Sequence, residues 1–109
     1  MAAARKNLLV DLGTTWNFTF EYRFDGAPAD LTGHVVELRI MKPGNSTSVY
    51  DTQAVDGTAD ARTTFTFEDE ETAVWSFRKA AYTVDLLEPS GDRIGLLFGT
   101  LTVRDRADI

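Results

Sequence analysis

Thr15-Trp16-Asn17-Phe18-Thr19-Phe20-Glu21-Tyr22-Arg23-Phe24 alternates an aromatic ring with a polar or charged side chain along its length. Trp16, Phe18, Phe20, Tyr22 and Phe24 share one phase; Asn17, Thr19, Glu21 and Arg23 share the other. Successive side chains of a strand point to opposite faces, so this period of two collects the rings on one side, where a helix would scatter them. The stretch predicts a half-buried strand with an aromatic inner face, and it sets the fold class as all-β.

On its N-terminal side, Asp11-Leu12-Gly13 reads as a bend after a short first strand, Leu8 to Leu12. On its C-terminal side, Asp25-Gly26-Ala27-Pro28-Ala29-Asp30 carries turn chemistry, since Gly takes positive φ freely and Pro is pre-set for a turn. Asp30-Leu31-Thr32-Gly33 then leads into a strand from His34 to Lys42. There Val36, Leu38 and Ile40 hold one phase and Glu37 and Arg39 the other, until Pro43-Gly44-Asn45-Ser46 ends it. Thr47 to Ala61 has weaker patterning and predicts a short strand around Val49-Tyr50 followed by a polar loop. Arg62 to Phe67 predicts a strand with Phe65 and Phe67 inward. The run Glu68-Asp69-Glu70-Glu71-Thr72-Ala73-Val74-Trp75 breaks the alternation and predicts one or two helical turns with Asp69 as N-cap, because acidic groups favour a helix start. Trp75 and Phe77 would pin this short helix over the open end of the core.

The last third predicts a long hairpin: Ala80 to Leu87, a turn in Glu88-Pro89-Ser90-Gly91-Asp92-Arg93, and a return from Ile94 to Val103. A loop of Pro89 to Asp92 sets Glu88 opposite Arg93, Leu87 opposite Ile94, Val84 opposite Leu97 and Tyr82 opposite Gly99. An aromatic ring beside a strand glycine compensates for the missing side chain. About seven strands, tight turns and one short helical turn predict an antiparallel β-sandwich.

The totals agree with that class. A chain of 109 residues fits one domain, expected at 7–105 with flexible ends at 1–6 and 106–109. Seven Phe, three Tyr and two Trp favour pleated, half-buried strands. There is no cysteine, which excludes disulfides, thiolate metal sites and a cysteine nucleophile. Near the start, Leu8-Leu9-Val10 is the only apolar run, short of the roughly 7–15 residues of a signal peptide or the roughly 20 of a membrane span. Synthesis in the cytoplasm, without a membrane partner, is the expectation. The net charge of −6, with eleven scattered Lys and Arg, argues against a nucleic-acid partner, which requires clustered positive charge.

Catalytic signatures are weak. His34 is the single histidine and begins a strand after a glycine, a surface or edge position; no G-x-S-x-G, P-loop or G-x-G-x-x-G occurs. Glu68 to Glu71 could offer oxygen ligands to calcium, but it lacks the alternating spacing of a calcium loop, and helix-start acidity accounts for it. With 17 acidic residues, a carboxylate pair at glycosidase spacing would arise by accident. Tyr82, after a corner, is expected to hydrogen-bond back across it. No catalytic residue, metal or cofactor is expected. The more suggestive feature is an excess of apolar side chains in the outward phase: Leu87, Ile94, Leu96 and Phe98 on the final hairpin, with Val35 and Met41 on another strand. Either a bulge at Gly99 flips the phase, or these six residues form a protein–protein interface.

The order of these signatures resembles a known family. Asp11-x-Gly13 stands before the aromatic strand, followed by Pro28-x-Asp30-Leu31-Thr32-Gly33 and Val36-x-Leu38-x-Ile40. The acidic turn follows, then Ala81-Tyr82-x-Val84-Asp85-Leu86, Pro89-Ser90-Gly91-Asp92 and Gly99-Thr100-Leu101-Thr102-Val103. From roughly Leu8 to Arg104 the chain resembles small bacteriophage virion proteins with an immunoglobulin-like β-sandwich, of the LtfC-like and baseplate-upper-protein N-terminal-domain type. The resemblance implies no catalytic residues. It implies a structural, non-enzymatic tail or baseplate accessory protein in the virion, packing in assembly against other virion proteins; the apolar outer face adds self-association as a homo-oligomer to the expected partners. One alternative is a carbohydrate-binding β-sandwich acting in host-surface recognition, which needs exposed Trp or Tyr, whereas Trp16 and Trp75 both read as buried. Another is a small β-barrel enzyme or ligand carrier, which needs a polar-lined cavity.

Overall fold

The computed structural model describes residues 4–24, 27–28, 30–59 and 62–104. Its elements in chain order are β1 (Ala4–Arg5), β2 (Leu8–Asp11), β3 (Trp16–Glu21), β4 (Arg23–Phe24), β5 (Ala27–Pro28), β6 (Val35–Lys42), β7 (Asn45–Asp56), β8 (Arg62–Phe67), α1 (Asp69–Ala73), β9 (Lys79–Leu87) and β10 (Arg93–Arg104). The larger sheet has the order β1-β10-β9-β6-β7, with β2 also on β10, and a two-stranded sheet of β3 and β8 faces it. A second two-stranded ribbon, β4 and β5, extends from β3. The chain is thus an all-β, sandwich-like domain with one short helix.

Period-two alternation accounts for the two layers. β3 and β8 pair antiparallel with Trp16 opposite Phe67 and Phe18 opposite Phe65, so the rings of both strands share the inner face. Val36, Leu38 and Ile40 of β6, Tyr82, Val84 and Leu86 of β9, and Leu97, Leu101 and Val103 of β10 meet them from the larger sheet. Fully burying side chains such as Phe65 and Phe67 contributes about 1.5–3 kcal/mol each. Trp16 stacks on Phe67 with centroids 5.6 Å apart, and Trp75 meets the same ring edge-on at 5.4 Å. Trp75 and Phe77 are buried where the chain leaves α1, so the short helix closes the end of the core as expected. Its start differs: Glu68 is the N-cap, with extended backbone and no side-chain cap bond, and Asp69 is the first helical residue. The Glu68 carbonyl takes the N–H groups of Glu71 and Thr72, while the Asp69 carboxylate accepts only from its neighbour Glu70.

Three expectations are corrected. The sheet is mixed, because the first strand runs parallel to β10. β1 and β2 keep one register on it, Ala4 beside Leu97 and Leu8 beside Leu101, so they are one strand interrupted at Lys6 and Asn7. Ala4–Arg5, within the segment expected as a flexible N-terminus, is strand; residues 1–3 and the expected flexible C-terminus, 106–109, lie outside the described residues. Second, 45–56 is a twelve-residue strand where a short strand and a loop were expected. Its inward phase carries Asp51 and Gln53, opposite Ile40 and Leu38, and polar residues there conceal the alternation. Both are satisfied by bonds no sequence pattern announces: Trp75 Nε1 donates to Asp51 at 3.1 Å, and Gln53 bonds the main chain of Thr66.

Third, the final hairpin has a longer turn. Leu87, not Glu88, is opposite Arg93, and Glu88 closes the loop by donating its N–H to the Asp92 carbonyl. A bulge between Gly95 and Leu97 absorbs the extra residue, so Val84 faces Leu97 and Tyr82 faces Gly99 as expected. The bulge thus lies at Leu96 rather than at Gly99.

Candidate protein-protein interface

The bulge dissolves most of the apolar outer face read from the sequence. It turns Leu96 inward, at 7% exposure beside Leu97, while Ile94 packs against the core and is opposite Leu86 rather than Leu87. Met41 is 6% exposed, with register shifts on both sides of it. Val35 and Leu87 do share the outer face as a cross-strand pair, but both are half-buried. Of the six residues, only Phe98 stands clear at 41% exposure; on the same face Leu9, a residue the sequence reading passed over, is 54% exposed.

The centre of that outer face is charged. Asp85 is buried at 6% exposure, with Arg39 Nη2 at 3.0 Å and Arg93 Nη1 at 2.8 Å, and Glu37 reaches the same Arg93 nitrogen at 2.9 Å. Bonding to Asp85, ahead of the contribution from Glu37, raises the pKa of Arg93 above its ordinary value. Arg93 was expected to face Glu88. The one-residue difference at the turn gives it to this network instead, across three strands.

Tyr82 does hydrogen-bond to a main-chain carbonyl, but in the N-terminal strand rather than across a corner. Its hydroxyl, buried from the core side, donates to Lys6 O at 2.6 Å. Lys6 N–H in turn donates to Phe98 O at 2.9 Å, and Thr100 N–H donates to Asn7 Oδ1 at 3.2 Å. Gly99 lets the chain pass: a Cβ there would lie 1.9 Å from Lys6 O. The glycine is therefore covered by the backbone of Lys6, and Tyr82 ties that backbone down. Burial pushes the Tyr82 hydroxyl pKa up to about 12.

The two flanks of the sandwich differ. On the β7 side, Gln53 spans the layers: its Nε2 donates to Thr66 O and its Oε1 accepts from Thr66 N–H, both at 2.7 Å. A side-chain amide there does the work of a neighbouring strand for β8. On the other side, between β1 and β3, lies a groove of about 290 Å³ lined by Ala4, Lys6, Phe18, Phe20, Leu96 and Leu97, with Glu21, Tyr22 and Arg23 at one end. The Lys6 ammonium stands 6.0 Å from the Phe18 ring centre. A second depression, of about 440 Å³ around Lys42 and Lys79, is shallow and open.

The remaining sequence candidates sit in local structure. His34 Nδ1 donates to Thr32 O at 3.3 Å, in a turn where the Asp30 carboxylate accepts from Thr32 N–H. Bonding from the Thr32 side chain, and then from its main-chain N–H, holds the Asp30 carboxyl below its usual range. Among the described residues, no three His, Cys, Asp or Glu side chains are grouped to hold a metal ion, the acidic run at α1 included. Glu71 is raised above its usual carboxyl range by burial and by the neighbouring Asp51. No helix among the described residues is long and apolar enough to cross a membrane. No protein-family model matches the chain, and no curated protein matches it in sequence.

Proposed function

We propose that the chain is a non-enzymatic structural module of a bacteriophage particle, a tail or baseplate accessory protein acting in assembly through protein–protein contacts. The observation that carries this reading is the use made of the polar side chains inside the domain. Tyr82, Asp85, Asp51, Gln53 and Thr72 are each engaged in bonds that join one element to another. Chemistry of that kind holds a scaffold together, and what it leaves for a partner is a strand edge, an apolar groove, and Leu9 and Phe98 on the outer face.

The strand order adds support. A sheet of β10, β9, β6 and β7, with the first strand parallel on β10 and β3 and β8 across the core, has the strand neighbours of a variable-type immunoglobulin sandwich, the architecture that the resemblance to phage virion proteins implies. The glycan-binding alternative has less support, because Trp75 is buried and Trp16, half-buried rather than buried as expected, is stacked on Phe18 and Phe67. Gradient-purified particles from cells producing the chain, analysed by quantitative mass spectrometry, test the proposal. The chain is expected in the particle fraction at a fixed ratio to the other tail components. Its restriction to the soluble lysate would refute the assignment.

A further inference from the structure

We infer that the chain self-associates by a reciprocal contact: the exposed face of α1 in one copy seats in the notch between β6 and β9 of a second copy, whose own α1 seats in the first. This rests on the protein-contact reading above and names a second copy as one of the partners.

The notch follows from where the ladder stops. β6 and β9 are paired from Val35 opposite Leu87 to Ile40 opposite Tyr82. Beyond that pair β6 continues on β7 alone, through register shifts on both sides of Met41, while β9 stays on β10 as far as Lys79 opposite Thr102. The depression of about 440 Å³ around Lys42 and Lys79 is the gap the two strands leave. Its floor carries short side chains, Ala81 and Thr100, neither of them buried, and exposed Pro43 flanks it. Lys42 and Lys79 are both exposed, and among the described residues neither is in an ion pair. A shallow seat with small side chains below and two unneutralised cations at its rim favours a small apolar knob carried beside carboxylates.

The exposed face of α1 is such a knob. Residues four apart on a helix share a face, so Glu70 stands one turn from Val74, the C-cap, with Ala73 between them. All three are exposed, Val74 at 73%, the highest among the exposed large apolar residues. The other side of the turn is committed to the domain: Thr72 Oγ1 donates to Thr14 O, and Trp75 Nε1 donates to Asp51. Asp69 and Glu70 are in no ion pair among the described residues, although Lys79 follows Val74 by only five residues. The chain thus holds both halves of a charge-complementary contact and does not join them within itself. Both halves lie at one end of the domain, because Tyr50, next to the Val49 that pairs with Met41, bonds Ser76 and the Val74 carbonyl. A two-fold axis at that end lets each copy give its α1 and receive its partner's, so the contact forms twice and closes at a dimer. Two such knobs bury less than the roughly 1,200–2,000 Å² of a stable complex, which places the dimer among weak contacts, reinforced where many copies gather in one particle.

Sedimentation equilibrium on the full chain, from about 10 μM to about 1 mM, should show a monomer–dimer equilibrium. Lys42→Glu with Lys79→Glu sets carboxylates against carboxylates, and Asp69→Lys with Glu70→Lys sets ammonium against ammonium. Each double variant should dimerise at least about tenfold more weakly. Mixed in equal amounts, the two should recover the wild-type association, because in the mixed pair both contacts again join opposite charges. Tryptophan fluorescence, through Trp75, checks that α1 stays in place. Should lysines at the helix start alter it, Val74→Asp, on a side chain already 73% exposed, takes their place and should weaken the dimer by a similar factor. A wild-type chain monomeric at about 1 mM would overturn the inference, as would a dimer that the Lys42, Lys79 and Val74 changes leave at wild-type strength. So would a mixture of the two charge-reversed variants, both with native fluorescence, that fails to associate. A monomeric chain that still enters particles at a fixed ratio would lose the self-contact and keep the assembly role. A chain that dimerises as expected yet stays out of particles would do the reverse, so the two readings fail separately.

Discussion

Gly99→Ala should be one of the most damaging single-methyl changes in the chain, and the damage should appear at the N-terminal strand. The added Cβ would fall 1.9 Å from Lys6 O and 2.7 Å from Lys6 C, both backbone atoms that cannot rotate away. Relief requires Lys6 to lift from β10, breaking the Lys6 N–H bond to Phe98 O, the Tyr82 hydroxyl bond to Lys6 O and the Thr100 N–H bond to Asn7 Oδ1. Three hydrogen bonds at a net ~0.5–1.5 kcal/mol each give roughly 1.5–4.5 kcal/mol, and a buried Tyr82 hydroxyl left without a partner places the expectation in the upper half, about 3–4 kcal/mol. For a domain near this size, each kcal/mol lowers Tm by about 4–8 °C, so a drop of more than about 10 °C is expected.

Urea denaturation monitored by tryptophan fluorescence measures the free energy, and amide exchange locates the loss, which should fall on Phe98 to Thr102 and spare β6. The double variant with Tyr82→Phe separates this mechanism from general crowding. Once Lys6 has moved, the hydroxyl has no partner to lose, so Tyr82→Phe should cost at least about 1 kcal/mol less in the Gly99→Ala background than alone. A Gly99→Ala protein within about 0.5 kcal/mol of wild type, the ordinary range of a surface substitution, would refute the reasoning, as would strict additivity with Tyr82→Phe.

Gln53→Ala removes both bonds to Thr66 and should lower stability by about 1–3 kcal/mol in urea melts, with exchange at the Thr66 amide accelerating most. Burial disfavours the Tyr82 phenolate and pushes its pKa up to about 12, above the ordinary tyrosine value. Its contribution to stability is therefore intact below the unfolded value and lost as pH rises through the folded one; a tyrosinate absorbance titration showing all three tyrosines ionising together in the ordinary tyrosine range would contradict this. Glu71 is also raised, by burial and then by Asp51, so the stability it confers is present at acidic pH and lost as pH rises through its folded value. Glu71→Gln should flatten that part of the curve and raise the urea midpoint at neutral pH.

What was legible in the sequence is what alternation encodes. β3, β6 and β8 carry rings or branched side chains in one phase and polar groups in the other, and they occur as strands with those faces inward. The register beyond the hairpin bulge agrees with the reading because the longer turn and the extra residue at Leu96 offset each other, not because the Tyr82 ring covers Gly99. β7 was not, since Asp51 and Gln53 occupy its inward phase and their partners, Trp75 and Thr66, are distant in sequence. Nor was the apolar outer face: counting phase along β10 assumes an unbroken ladder, and one extra residue at Leu96 inverts the count toward the turn.

The two-stranded smaller sheet among the described residues and the Gly99 clamp are two aspects of one arrangement. The first strand leaves the larger sheet through the bend after Asp11 and enters the smaller one as β3, so it could in principle lie against either β10 or β3. Parallel pairing on β10 is, in itself, the slightly weaker kind per residue. It is selected here because the larger sheet offers specific groups to hold it: a glycine that admits the Lys6 backbone, a buried hydroxyl for its carbonyl, and main-chain groups on β10 for Lys6 N–H and Asn7. Two further bonds fix the exit, Leu12 N–H to Arg104 O and the ion pair of Arg104 with Asp11. With the first strand committed to β10, the smaller sheet has two strands among the described residues, and Phe18 and Phe20 line the groove beside it. The interactions that hold the first strand on β10 are thus the ones that, among the described residues, leave β8 as the one strand paired with β3.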